Sequence, residues 1–228
     1  MTRVAAVTGG AGAIGGAIAA GLRAAGHQVV ILDRDGDPPV DLAEPDAVRA
    51  AAAGLLATHG RCDVLVHAAA AFDRAALPDL DPRTWRRVQA VNVESAVWLA
   101  QALAPGMAER GFGRIVFVVS DTIWDPPAGD LLAYVASKAA LVGVARTLAR
   151  SLGRDGITVN CVAPGLTRTP FTEADLPPQA FEEVRTRQSI ARSLMPEDTA
   201  ALVAFLASDA AGAITGQTLV ADGGSILR

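Results

Sequence analysis

Short apolar runs alternate with helical stretches along almost the whole chain, and this alternation restricts the fold more than any other feature of the sequence. Residues 3–7, 28–32, 63–66, 115–119, 157–161 and 217–220 read as strands, and 14–25, 48–58, 84–110, 131–152 and 198–207 as helices. Strands that are apolar throughout, rather than every second residue, belong to a parallel sheet covered on both faces. The pattern predicts a single-domain α/β fold over residues 1–228: a Rossmann-type, doubly wound parallel sheet with helices on both faces. No repeat or linker interrupts it, and 228 residues suffice for one well-buried domain. Only 121–130, rich in Asp, Pro and Gly, and 166–196 break the rhythm. Both follow strands, at the edge where open α/β sheets bind ligands, and the second is long enough to be a substrate loop or lid.

Composition narrows the function classes. The net charge is −4 and no basic cluster occurs, which argues against a nucleic-acid partner. Hydrophobic residues make up 51%, but 47 of the 228 residues are alanine, so much of that fraction is small. No apolar run approaches the roughly 20 residues of a membrane span, and Met1-Thr2-Arg3-Val4 lacks a signal peptide's apolar core. Cys62 and Cys161 are too few for a disulfide framework. The expectation is a cytoplasmic enzyme with no membrane partner and no metal site.

The first strand runs into Thr8-Gly9-Gly10-Ala11-Gly12-Ala13-Ile14-Gly15 and then a helix. Glycines there admit positive φ and close backbone approach to a pyrophosphate, whose charge is met by the helix N-terminus. Small residues also permit tight strand–helix packing, but the first β-to-α turn is the dinucleotide position. Asp33 ends the second strand, 18 residues after Gly15. A carboxylate there accepts both adenosine ribose hydroxyls and repels a 2′-phosphate, so NAD is expected over NADP. Arg34 could serve a 2′-phosphate or be a solvated cation. Asp41-Leu42 is placed to border the adenine, although a turn aspartate fits as well.

Lys138 is the only lysine among 20 basic residues, and Tyr134, four positions earlier, is the only tyrosine. On a helix the two project from one face. A phenol ionises near pH 10, too high for a base at neutral pH, and a nearby ammonium lowers that value. The pair suits proton exchange with an alcohol or carbonyl.

With Thr8 to Gly15, Asp33, Asn92 in Val91-Asn92-Val93, Ser120, Tyr134 and Lys138, Asn160-Cys161-Val162-Ala163-Pro164-Gly165, and the tail from Thr215 to Gly224, the chain resembles the classical short-chain dehydrogenase/reductase family over essentially its whole length. The resemblance implies that Tyr134 exchanges the proton of the substrate oxygen. It also implies that Lys138 lowers the Tyr134 pKa and binds the nicotinamide ribose, that Ser120 holds the substrate oxygen, and that Asn92 positions a water relaying protons from Lys138. Pro164 and Gly165 would shape the floor beneath the nicotinamide, with Thr167 beside them and Thr169 reaching its carboxamide. Ala68 and Ala69 would meet the adenosine through their backbone. A homo-oligomer, tetramer or dimer, would form through helices 84–110 and 131–152.

Three departures stand out. The Gly9, Gly12, Gly15 spacing is closer to the family's extended members, but the length and the Asp222-Gly223-Gly224 ending fit the classical group. His67-Ala68-Ala69-Ala70 replaces the usual Asn-Asn-Ala-Gly, which makes His67 a structural histidine. Ser120 lies 14 positions before Tyr134 rather than 13, leaving Thr122 as a rival for the hydroxyl role.

Phe72, Trp124, Leu166, Phe171 and Ile190 are the candidate walls of the substrate pocket, with Arg168 as a single cation. Such walls suit an uncharged secondary alcohol or its ketone, apolar or aryl as for 1-phenylethanol-type dehydrogenases. Asp121, Asp125 or Asp130 could meet the amine of an amino alcohol, or be solvated loop residues. The rivals are an NADPH-dependent 3-oxoacyl-thioester reductase and, outside enzymes, an NAD-sensing regulator without turnover.

Overall fold

The structure, a computed structural model, describes residues 2–227. Six parallel strands form one sheet: β1 (Val4–Thr8), β2 (Gln28–Leu32), β3 (Val64–His67), β4 (Gly113–Val118), β5 (Ile157–Pro164) and β6 (Thr218–Ala221), in the order β2-β1-β3-β4-β5-β6. Along β1 the side chains of Val4 and Ala6 enter one core and those of Ala5 and Val7 the other, which is why these strands are apolar at every position.

The helices α1 (Ala13–Ala24) and α8 (Pro196–Leu206) cover one face, and α2 (Pro45–His59), α4 (Ser95–Glu109) and α5 (Leu132–Leu152) the other. Gly113 has no room for a side chain, since a Cβ would stand 2.8 Å from Met107 Sδ and 2.9 Å from Ile157. The chain leaves β1 toward β2 on one side and reaches β3 on the other, so the sheet's switch point opens between β1 and β3.

The sequence reads 84–110 as one helix; the structure divides it. Asp81 caps α3 (Pro82–Gln89) by accepting from the N–H groups of Arg83 (2.7 Å) and Thr84 (3.0 Å). A wider π turn, Ala90–Glu94, joins α3 to α4, and the Ser95 hydroxyl donates to the Val91 carbonyl at 2.7 Å. Apolar periodicity does not register one extra residue in a turn.

The region 166–196 is not irregular. It holds α6 (Pro170–Asp175), begun by the Thr169–Thr172 capping box, and α7 (Pro178–Arg187). One expectation is corrected: the helical stretch Gly129–Asp155 contains an 18-residue window of mean hydropathy 1.4 and is long and apolar enough by length and composition to cross a membrane. Its Leu141, Ala145 and Ala149 lie in the core beside the sheet, so the apolarity serves packing.

Candidate active site

The glycine turn is shaped by contacts no side chain could share. A Cβ on Gly15 would stand 2.1 Å from the Gly9 carbonyl oxygen, and one on Gly9, whose φ is +68°, 2.7 Å from the Ala69 backbone. Gly12 is the N-cap of α1, so the N–H groups of Ala13, Ile14 and Gly15 have no acceptor within the helix and face a prospective anion. Asp33 holds this turn, accepting from the N–H of Ala11 (3.0 Å) and that of Asp35 (3.2 Å). Two N–H bonds leave acceptor capacity on the carboxylate for ribose hydroxyls. Arg34 is exposed beside it. Asp41, exposed, accepts from the Ala43 N–H at 2.9 Å to close a turn, and Leu42 is buried in the core.

Thr8 ties the turn to the end of β3. Its hydroxyl oxygen accepts from the N–H groups of Ala68 and Ala69, both at 3.1 Å, so its hydrogen is directed to His67 Nδ1 at 2.9 Å. The His67 proton is thereby assigned to Nε2, which lies on the side of the Val91 and Asn92 carbonyls of the π turn without a hydrogen bond to either. Burial pushes the His67 pKa down to about 3, with Lys138 adding to the shift, and the ring is neutral. Both Asn92 amide hydrogens are engaged: Oδ1 accepts from Ala71 N–H (2.6 Å), while Nδ2 donates to the Ala71 carbonyl (3.1 Å) and Ser137 Oγ (2.9 Å). The side chain positions the loop after β3 against α5.

Ser120, just beyond β4, caps a single turn of 3₁₀ helix. Its oxygen accepts from the Thr122 N–H (3.3 Å) and the Thr122 hydroxyl (3.0 Å), while its own hydrogen goes to Asp121 Oδ1 at 3.4 Å, a long bond that a closer acceptor can displace. Ser120 faces the Tyr134 phenol, and Thr122 serves Ser120 instead of rivalling it. Lys138 Nζ stands 5.6 Å from the Tyr134 ring centroid and donates to the Val118 carbonyl at 2.8 Å. The electrostatics depart from expectation. Burial pushes Tyr134 up to about 12 and pulls Lys138 down to about 8, because both charged forms lose hydration. At neutral pH the pair is a protonated phenol beside an ammonium.

These groups line one cavity of about 1090 Å³ with Ile14, Ala68, Pro164, Gly165, Thr167 and Thr169. A family model described as Enoyl-(Acyl carrier protein) reductase matches residues 9–225, which contain all four of Asn92, Ser120, Tyr134 and Lys138. The chain belongs to the short-chain dehydrogenase/reductase family. D-xylose 1-dehydrogenase of Caulobacter vibrioides is 36% identical over 236 residues, covering 96% of this chain and 93% of that protein. (2S)-[(R)-hydroxy(phenyl)methyl]succinyl-CoA dehydrogenase subunit BbsD of Thauera aromatica is 35% identical over 245 residues, covering 100% and 98%. The TT0495 protein from Thermus thermophilus superposes with a TM-score of 0.93 at 38% identity, over 99% of each chain. A 3-oxoacyl (acyl-carrier-protein) reductase from Agrobacterium tumefaciens, with NADP bound, gives 0.86 at 31%, over 96% of this chain and 92% of that one. The protein is therefore an oxidoreductase that binds a nicotinamide cofactor, and the glycine cradle fits that group.

In this short-chain dehydrogenase/reductase the substrate end of the cavity is part apolar and part ionic. Phe72 packs edge-on against Tyr134 (4.6 Å between centroids) and Phe171 (5.6 Å), and Leu166 joins this wall. Two expected wall residues lie elsewhere: Trp124 packs against the core, and Ile190 is 59% exposed, outside the cavity lining. Arg168 is held by Glu173 (2.8 Å) and Ser193 (3.0 Å). Sequence reasoning missed Arg74 and Arg187. Arg74 bridges Asp130 (2.9 Å) and Asp175 (3.3 Å), and Arg187 reaches Asp125 (3.1 Å), so α6 and α7 are pinned across the mouth. It also missed Ile226, brought back to the lining by Asp222, which accepts from the N–H groups of Gly224 and Ile226, both at 2.8 Å. Nothing local in the sequence marks these pairs, whose partners lie dozens of residues away.

Proposed function

We propose that this protein is an NAD(H)-dependent dehydrogenase of secondary alcohols, or reductase of the matching ketones, whose substrate carries an apolar or aryl group. One observation carries the reading: Ser120, Tyr134 and Lys138 converge in a cavity whose adjoining wall is the Phe72–Tyr134–Phe171 aromatic cluster. The bound nicotinamide supplies or accepts the hydride. Ser120 turns its hydrogen from Asp121 to the substrate oxygen, and Tyr134, protonated at neutral pH, gives its proton to that oxygen as the carbonyl is reduced. In the oxidative direction the Tyr134 phenolate takes the alcohol's proton, so that direction first requires the phenol to lose its own. Lys138 places positive charge beside Tyr134 and stabilises the phenolate as it forms. The aromatic wall supports an aryl substituent, and the name of the Thauera relative describes a hydroxy(phenyl)methyl group, a benzylic secondary alcohol.

Asp33 supports NAD, since its carboxylate stands where a 2′-phosphate would bring two negative charges together. The second reading, NADPH-linked reduction of a 3-oxoacyl thioester, is favoured by the exposed Arg34 and by the NADP-bound Agrobacterium neighbour. Two or four copies are inferred to pair through α4 and α5, because α5 exposes the small residues Ala139, Ala140 and Gly143, which permit close helix packing.

Absorbance at 340 nm tests the reading. NAD-linked oxidation of one enantiomer of a 1-arylethanol, lost in Tyr134→Phe, is the expected result. NADPH-linked turnover of an oxoacyl thioester alone would replace it with the second reading.

A further inference from the structure

Asp121 follows Ser120 directly, lines the cavity and is half-buried, and the chemistry above gives it no task. Its neighbours of like charge are accounted for. Asp125 is paired with Arg187, Asp175 with Arg74, and Glu183 stands exposed on α7. Asp222 is occupied by N–H groups of the C-terminal tail. No cation pairs with Asp121 among the described residues; its Oδ1 accepts from the Ser120 hydroxyl at 3.4 Å, a donor it loses once Ser120 turns that hydrogen to a substrate oxygen. Withdrawing an unpaired carboxylate from water is unfavourable. Burial, then the charge of Asp222, pushes the Asp121 pKa up to about 6. A ligand that brings a donor to this oxygen would offset that loss.

We propose that Asp121 recognises a hydrogen-bond donor, a hydroxyl or an ammonium, on the carbon next to the reacting carbinol, so that the substrates are vicinal diols or amino alcohols. This rests on the alcohol-dehydrogenase reading above. The geometry points this way because Ser120 fixes the reacting oxygen within one hydrogen-bond length, and the Asp121 carboxylate is the next acceptor along the same wall. A donor on the adjacent carbon, gauche to the reacting oxygen, then faces that carboxylate. A mono-alcohol leaves it unmet.

The test compares 1-phenylethanol, 1-phenyl-1,2-ethanediol and 2-amino-1-phenylethanol by NAD reduction at 340 nm, in the wild type, Asp121→Asn and Asp121→Ala. In the wild type the diol or the amino alcohol is expected to exceed the mono-alcohol in kcat/KM by about tenfold or more, the scale of a hydrogen bond to a charged group. That ratio collapses toward one in Asp121→Ala, chiefly through KM, and falls part of the way in Asp121→Asn, whose amide oxygen still accepts but without charge. Using the ratio cancels any loss the variants impose through Ser120. The ordering of the diol and amine arms assigns hydroxyl or ammonium. A ratio of one in the wild type, or an equal ratio in wild type and variants, overturns the inference and leaves the aryl-alcohol reading standing. No turnover of any of the three by wild-type protein that binds NAD overturns that reading, and this inference with it.

Discussion

The Thr8 hydroxyl and His67 Nδ1 stand 2.9 Å apart, joining the strand before the glycine turn to the strand beside the catalytic cavity. Because two N–H groups already fill the Thr8 oxygen, His67 must act as the acceptor, and only a neutral ring can do so.

Acid should therefore break this link. The folded-state pKa of His67, about 3, lies below the ordinary 6.5, so the unfolded chain takes up the proton first. The stability contributed is fully present above about pH 6.5 and is lost as pH falls toward 3. Urea unfolding at stepped pH should show this slope. His67→Phe should remove His67's share of it and cost about 1–3 kcal/mol at neutral pH by leaving the Thr8 hydrogen without an acceptor.

Gly15→Ala should cripple nucleotide binding more than folding. The added methyl would meet the Gly9 carbonyl oxygen at 2.1 Å, so the cradle itself must move. Calorimetric titration with NAD should show affinity reduced about tenfold or more, for which about 1.4 kcal/mol suffices. Gly54→Ala, in α2 with nothing within 4 Å of the new methyl, is the control, expected to stabilise by about 0.5–1 kcal/mol with unchanged affinity.

Lys138 gives affinity and stability opposite pH slopes. Burial brings its pKa down to about 8 from 10.5, so its ammonium is lost as pH rises past 8. Charge-assisted bonds to the cofactor weaken, and the NAD dissociation constant, followed by tryptophan fluorescence, should rise between pH 7 and 9. The unfolded chain still holds that proton, so folding stability should rise with pH between about 8 and 9. Both slopes should vanish in Lys138→Met.

Arg74→Ala should loosen the cavity mouth without unfolding the protein. All three partners are about a third exposed (34%), which limits the loss of stability to roughly 1 kcal/mol or less. Limited trypsin digestion should cut faster at Arg185 or Arg187 once α6 has lost its tie to Asp130, and KM should rise more than kcat falls.

The sequence alone determined the sheet, the glycine turn and the Tyr134–Lys138 spacing, because each rests on local periodicity or on residues within one turn of helix. Strands buried on both faces must be apolar throughout, and a helix carries residues i and i+4 on one side whatever surrounds it. Tertiary structure decided what distance in sequence conceals. It inserted the π turn at Asn92, spent that amide on Ala71 and Ser137, and turned Trp124 into the core and Ile190 outward. It left Asp121 without a cation by engaging Asp125 and Asp175 with arginines 62 and 101 positions away. Above all it set the protonation of the catalytic pair: spacing suggests a lysine that lowers the phenol's pKa, yet desolvation acts on both groups and prevails, since it depends on how completely the fold excludes water.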